Sequence, residues 1–122
     1  MNVFIVEDQP WFRAQLEEMV ASVPGTNLVG CADTAQGAIA AIGACRPDLV
    51  LLDLKLAEGT GFEVLRALRE RSPTIRVLVL TSIPTAGVKK VCLMNGADGF
   101  FDKLLEFDQV RDTLARFTKT TN

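Results

Sequence analysis

No histidine occurs in the chain. Imidazole is the usual acid–base side chain near neutral pH and the commonest metal ligand. Its absence excludes Ser-His-Asp triads, His-based proton transfer and His-ligated zinc. Any metal bound here has to be a hard ion held by oxygen. Cysteine is sparse too: Cys31, Cys45 and Cys92 are far apart, odd in number, and never in a C-x-x-C spacing. Neither a disulfide framework nor a zinc site fits, and their apolar neighbours make them read as small core residues in a reducing compartment. No basic run exceeds Lys89-Lys90, which argues against general nucleic-acid binding. No apolar run approaches a membrane span, and the first eight residues lack the basic start and cleavage site of a signal peptide. A cytoplasmic chain without membrane contact is expected.

What is present is ordinary in amount and specific in arrangement. The 122 residues suit one domain with a single core; 48% are hydrophobic, 23% are charged and the net charge is −2. Val3-Phe4-Ile5-Val6 is short, apolar and partly β-branched, as a strand buried on both faces should be. Pro10 suits a first helical turn, and Phe12, Leu16, Met19, Val20 and Val23 continue as a helical stripe up to Pro24-Gly25. Residues 27–32 read as a weaker second strand. Asp33 and Gln36 have capping-box spacing, ahead of a helical face of Ala35, Ala38, Ile39, Ile42 and Cys45. Residues 49–52 form a third strand. Thr60 and Glu63 repeat the capping-box spacing before Val64, Leu65 and Leu68. Residues 75–80 predict a fourth strand and 84–95 a helix carrying Val88, Val91 and Cys92, stopped by Gly96 as the residue after the cap. Gly99-Phe100-Phe101 is a short fifth strand, Phe107, Val110, Leu114 and Phe117 mark a last helix, and the polar tail from Thr118 is expected to fray. Five alternations of strand and helix imply an α/β fold, a parallel sheet covered by helices on both faces.

The polar residues fall in one kind of place. Glu7-Asp8 follow the first strand, Asp53 the third, Thr81-Ser82 the fourth and Lys103 the fifth. In an open parallel sheet those C-terminal ends share an edge, and the ligand crevice lies there. The common strand orders put the first and third strands side by side or nearly so, bringing Glu7, Asp8 and Asp53 together. Two carboxylates about 4 Å apart repel by roughly 4 kcal/mol at an effective dielectric near 20. Three in one crevice call for a cation, and Mg²⁺ is the usual one where phosphate is also handled. With the Lys103 ammonium as a second positive charge and the Thr81 hydroxyl as donor, the set suits a phosphoryl group in flight, with the carboxylate as nucleophile and an acyl phosphate as product. Singly, each residue has an ordinary explanation as a cap, a turn or a solvated charge; four strand ends agreeing do not.

These residues carry a resemblance. The acidic pair Glu7-Asp8, Asp53, Thr81, and Phe100 three residues ahead of Lys103, in that order, resemble a response-regulator receiver domain of two-component signal transduction over essentially the whole chain. The resemblance implies a flavodoxin-like doubly wound (βα)5 fold with strand order 2-1-3-4-5. It implies a receiver over residues 1–118 and a polar tail over 119–122. It makes Asp53 the phosphoacceptor, Asp8 and Asp53 ligands of Mg²⁺, Glu7 a ligand mainly through water, and the backbone carbonyl of Lys55 a further one. Thr81 and Lys103 would bind phosphoryl oxygens, and Thr81 and Phe100 would act as the switch pair. The donor would be a histidine kinase or a histidine phosphotransfer protein. The readout would be a surface of the fourth helix, fifth strand and fifth helix, meeting a downstream effector or a second copy. Leu93, Met94, Leu104 and Leu105 are candidate apolar contacts there, with at least two of them expected in the core. Beyond accepting and losing its own phosphoryl group, no enzyme activity is implied.

The chain departs from the family pattern at several points. Ala57 stands where proline is common, and Leu104 rather than proline follows Lys103, so a cis bond is not expected there. Phe100 lacks the hydroxyl of the frequent tyrosine. Lys55 and Ile83 occupy the positions that tend to tune phosphoryl lifetime. Two other classes compete, a binding module and an enzyme or cofactor-binding protein. A receiver-like binding module independent of phosphorylation would keep the fold without needing Asp53. An aspartyl phosphatase would want a second acid where Lys55 stands, and a flavodoxin-type cofactor would be repelled by Glu7-Asp8. Trp11, the single tryptophan, is expected close enough to the acids to report metal or phosphoryl-analogue binding, the alternative being contact with a neighbouring loop.

Overall fold

The computed structural model describes residues 1–120. Strands β1 (Asn2–Val6), β2 (Asn27–Ala32), β3 (Leu49–Asp53), β4 (Arg76–Thr81) and β5 (Gly99–Asp102) alternate with helices α1 (Pro10–Ser22), α2 (Ala35–Cys45), α3 (Gly61–Arg71), α4 (Ala86–Met94) and α5 (Phe107–Thr120). The sheet is parallel with order β2-β1-β3-β4-β5, as expected.

Strand periodicity divides the core in two. Phe4, Val6, Val50, Leu52, Val77 and Val79 face one way, onto Ile42 of α2, Leu65 of α3 and Cys92 of α4. Their neighbours Val3, Ile5, Leu49, Leu51, Leu78 and Leu80 face the other, onto Leu16 of α1 and Leu114 of α5. A strand buried on both faces has no polar position to spare, so β3 reads Leu-Val-Leu-Leu before its first acid.

Helix starts follow the caps. Thr60 and Glu63 form the expected capping box, and Gly96 takes a φ of +90° after the Asn95 cap. At α2 the expectation is corrected: Thr34, not Asp33, is the N-cap, its hydroxyl accepting from the Gly37 amide. Helix α4 begins at Ala86 rather than at Pro84, because the Thr85 hydroxyl accepts from the Val88 amide and sets the cap there. The peptide bond after Lys103 is trans, as are the others of the described residues.

Three more expectations are corrected. Only Cys92 is a core residue; Cys31, on the edge strand, and Cys45, at the end of α2, are exposed. Leu93, Met94, Leu104 and Leu105 are all exposed, none taken into the core. Helix α5 continues through Thr118 to Thr120, so the tail does not begin where polarity alone suggested. Positions 121 and 122 of the expected tail lie outside the described residues.

Candidate functional site

Glu7, Asp53, Thr81 and Lys103 each sit at or one step past a strand end and keep a backbone bond to the sheet, and Asp8 follows two steps past β1. Asp53 closes β3 opposite Leu80 of β4. The Glu7 amide continues the β1–β2 ladder by donating to the Ala32 carbonyl at 3.0 Å, and the Lys103 amide continues the β4–β5 ladder by donating to the Thr81 carbonyl at 2.9 Å. The side chains are therefore aimed by sheet geometry rather than by free loops, at the C-terminal edge where open α/β sheets take ligands.

Glu7, Asp53 and Lys103 are 1%, 4% and 6% exposed, and Asp8 is half-buried. Lys103 Nζ lies 2.8 Å from Glu7 Oε1 and 3.0 Å from Asp53 Oδ2. The ammonium thus sits between two buried carboxylates, rather than only across the site from them. Burial holds the Glu7 carboxyl up at about 7; the Asp53 charge adds to the rise and the Lys103 contact opposes it. Burial pulls the Lys103 ammonium down, but its bonds to Glu7 and Asp53 outweigh that, and the net shift is upward.

A cleft of about 360 Å³ opens over this group, lined among others by Asp8, Trp11, Asp53, Lys55, Ser82 and Leu104. Trp11, at 56% exposure, forms part of its wall, which places the ring beside the acids as expected. The Lys55 amide donates a long 3.4 Å bond to Asp53 Oδ1, and among the described residues no ion pair joins the Lys55 ammonium to Asp53. Thr81 is buried, with Oγ1 accepting from the Ile83 amide at 3.0 Å, while Ser82 lines the cleft in its place. Phe100 is half-buried against the core that includes Cys92, away from the polar cluster.

Carboxylate oxygens of Glu7, Asp8 and Asp53 lie within 4.8 Å of one another. Glu7 Oε1 meets Lys103 as an ion pair but has no partner in hydrogen-bond geometry. Three hard oxygen donors beside an open, water-accessible cleft fit Mg²⁺, which keeps several waters and takes one or two carboxylates. Chemically, the site offers a positioned carboxylate, a fixed ammonium and room for a tetrahedral anion.

Sequence reasoning missed Phe12 and Gln9, and gave Leu104 to the readout surface without its place in the cleft wall. Phe12 was counted only as part of a core stripe, yet Lys103 Nζ lies 4.5 Å from its ring centroid. The Gln9 amide donates to Glu7 Oε2 at 3.1 Å and fixes the carboxylate from the loop side. Proximity in sequence to Glu7-Asp8 was the available signal for the first two. A wider cleft of about 740 Å³ gathers Arg76, Asp98, Phe101 and Arg116 at the opposite sheet edge, far from the acids.

Comparison with known proteins agrees with this geometry. Residues 3–115 match the family model described as the response regulator receiver domain. The DNA-binding transcriptional activator DevR/DosR of Mycobacterium tuberculosis is 34% identical over 103 residues, covering 84% of this chain and 48% of that protein. The chain spans about half the length, or less, of the first curated relatives it matches. Among solved structures, the response regulator domain of Thermotoga maritima CheB superposes with a TM-score of 0.85 at 27% identity, covering 98% of this chain and 94% of that one. A chain of the CheX-CheY-BeF3-Mg²⁺ complex from Borrelia burgdorferi gives 0.88 at 25% identity, covering 96% and 88%.

Proposed function

The chain belongs to the response regulator receiver domain family of two-component systems, and from that premise we propose that Asp53 is its phosphoacceptor. The observation that carries the reading is the ammonium of Lys103 held 3.0 Å from Asp53 Oδ2 in a pocket of acidic oxygens open to one cleft. An aspartate placed so is preorganised to receive negative charge, with the compensating cation already in position.

A phosphohistidine of a histidine kinase or phosphotransfer protein enters over Trp11 and Leu104. A carboxylate oxygen of Asp53 attacks phosphorus in line with the P–N bond. That bond breaks, the imidazole leaves with its electron pair, and an acyl phosphate remains on Asp53. Asp8, Asp53 and the Lys55 carbonyl would hold Mg²⁺, with Glu7 acting mainly through water, and the ion would supply charge neutralisation for the phosphoryl oxygens. The Borrelia burgdorferi relative with BeF3 and Mg²⁺ supports such a loading of the site.

The protein's own groups then rearrange. Lys103 exchanges Asp53 Oδ2 for a phosphoryl oxygen. The Thr81 hydroxyl leaves the Ile83 amide and donates to another, and Phe100 moves into the space beneath α4. Helix α4 buries Cys92 alone, so little packing resists its displacement. Exposed Leu93 and Met94 on α4 supply apolar contacts for an effector or a second copy, and the α4–β5–α5 face is the switched surface. The exposed thiols of Cys31 and Cys45 suit a reducing compartment, and we place the protein in the cytoplasm with its donor.

The test is intact-mass analysis after incubation with Mg²⁺ and acetyl phosphate, repeated with a phosphorylated histidine donor. One phosphoryl adduct on the wild type and none on Asp53→Asn is expected. An adduct undiminished in Asp53→Asn, or none from either donor, would overturn the reading.

A further inference from the structure

An ammonium has three N–H donors and no acceptor, and a buried one needs all three answered. Lys103 Nζ donates to Asp53 Oδ2 at 3.0 Å and meets Glu7 Oε1 as an ion pair at 2.8 Å, outside hydrogen-bond geometry. Nζ also lies over the ring of Phe12, 4.5 Å from its centroid. That separation is well inside the range in which the negative face of an aromatic ring attracts a cation, and desolvation strengthens the attraction. Both partners are desolvated: Phe12 is fully buried and Lys103 nearly so.

The ring is also held in its orientation. Trp11 meets it at 5.6 Å with an interplanar angle of 78°, and Phe107 of α5 at 5.7 Å and 77°. Two near-perpendicular neighbours, on α1 and α5, leave the ring little freedom to turn its face away from Lys103. Leu16 one turn on shows that the α1 stripe does not call for an aromatic residue at every core position.

We propose that Phe12 is a positioning residue for Lys103, its π face taking the third direction of the ammonium and holding Nζ beside the phosphoacceptor. The proposal rests on the reading of Asp53 and Lys103 above and deepens it. When Asp53 Oδ2 is exchanged for a phosphoryl oxygen, Phe12 and Glu7 keep Nζ from swinging out of the site. The same ring links the reacting edge to α5 through Phe107, and to the cleft wall through Trp11.

The experiment replaces Phe12 with 4-fluoro-, 3,5-difluoro- and 3,4,5-trifluorophenylalanine in the full chain, together with Phe12→Leu. Fluorination drains the ring face while nearly conserving its volume, so a packing role alone would leave the series flat. Two readouts are taken: the rate of phosphoryl uptake from acetyl phosphate with Mg²⁺, and the NMR shifts of the Lys103 ε-methylene in the unmodified protein. The uptake rate should fall stepwise, by roughly tenfold at the trifluoro ring, and the ε-methylene resonances should move stepwise away from their ring-shifted position. Phe12→Leu should match or exceed the trifluoro ring in both. A flat fluorine series, whatever Phe12→Leu does, would overturn the proposal. If the wild type takes up no phosphoryl group from acetyl phosphate or from a phosphorylated histidine donor, the phosphoacceptor reading fails, and the methylene series alone still decides whether Phe12 holds Lys103.

Discussion

Lys103 carries more of the site than any other residue, because it neutralises two buried carboxylates at once. Lys103→Met should leave Glu7 and Asp53 facing each other, and removing one partner of a buried ion pair costs roughly 3–5 kcal/mol. Urea denaturation should show a loss at the lower end of that range, since Glu7 can take up a proton, and added Mg²⁺ should recover part of it. Glu7 sets a pH dependence of its own. Its folded value of about 7 lies above the ordinary 4.5, so between those values the folded state keeps a proton that the unfolded chain has lost. This contribution is fully present below about 4.5 and is lost as pH rises through about 7. Metal-free protein should therefore be less stable at pH 8 than at pH 5.5, and Glu7→Gln should flatten the difference in denaturation curves. Lys103 is charged across that window and does not reverse the sign. Because proton and metal compete for the carboxylates, Mg²⁺ affinity should rise over the same interval.

At the scale of elements, the placement of Asp53 depends on how closely α3 approaches β3. A Cβ at Gly61 would lie 2.2 Å from the Asp53 carbonyl oxygen and 2.8 Å from Leu54 Cα, so the first residue of α3 seats directly on the peptide of Asp53. Gly61→Ala should destabilise by about 1–3 kcal/mol, as overpacking does, and slow phosphoryl uptake. Gly43→Ala, exposed in α2 with nothing within 4 Å of its Cβ, should instead stabilise by about 0.5–1 kcal/mol. Opposite signs in thermal melts of the two variants check the account. Most elements were legible from the chain, because two-sided burial writes β1, β3 and β4 as continuous apolar runs and the caps punctuate the helices. The illegible parts share a cause. Asp33 and Thr34 are both good caps, and only the backbone decides between them. Gly61 opens α3, and its demand for space comes from a contact with β3 that no local pattern encodes. Phe12 obeys the helical stripe so well that its use by Lys103 is hidden. Leu93, Met94, Leu104 and Leu105 are apolar by composition but exposed, since burial depends on which partners are present.

Over the whole molecule, the sheet works as a jig. Four strands deliver Glu7, Asp8, Asp53, Thr81 and Lys103 to one edge, and helices on both faces leave that edge open. The strand-end reading found this set from sequence because side chains at strand ends share an edge whatever the loops do. Its internal pairing, with Lys103 shared between Glu7 and Asp53, emerges only from folded distances. Trp11 in the cleft wall supplies a global reporter: its fluorescence should change on titration with Mg²⁺ and again with trifluoroberyllate, and Asp53→Asn should weaken both responses. The central claim is that Asp53 is the residue modified, and trapping the product in place tests it most directly. The chain is phosphorylated by a histidine donor, reduced with borohydride and mapped by peptide mass spectrometry. Reduction converts an aspartyl phosphate to homoserine. Homoserine at position 53 and at no other aspartate is the expected result. Homoserine at Asp8 or elsewhere, or an unreduced Asp53 in a chain that carries phosphoryl, would contradict the account.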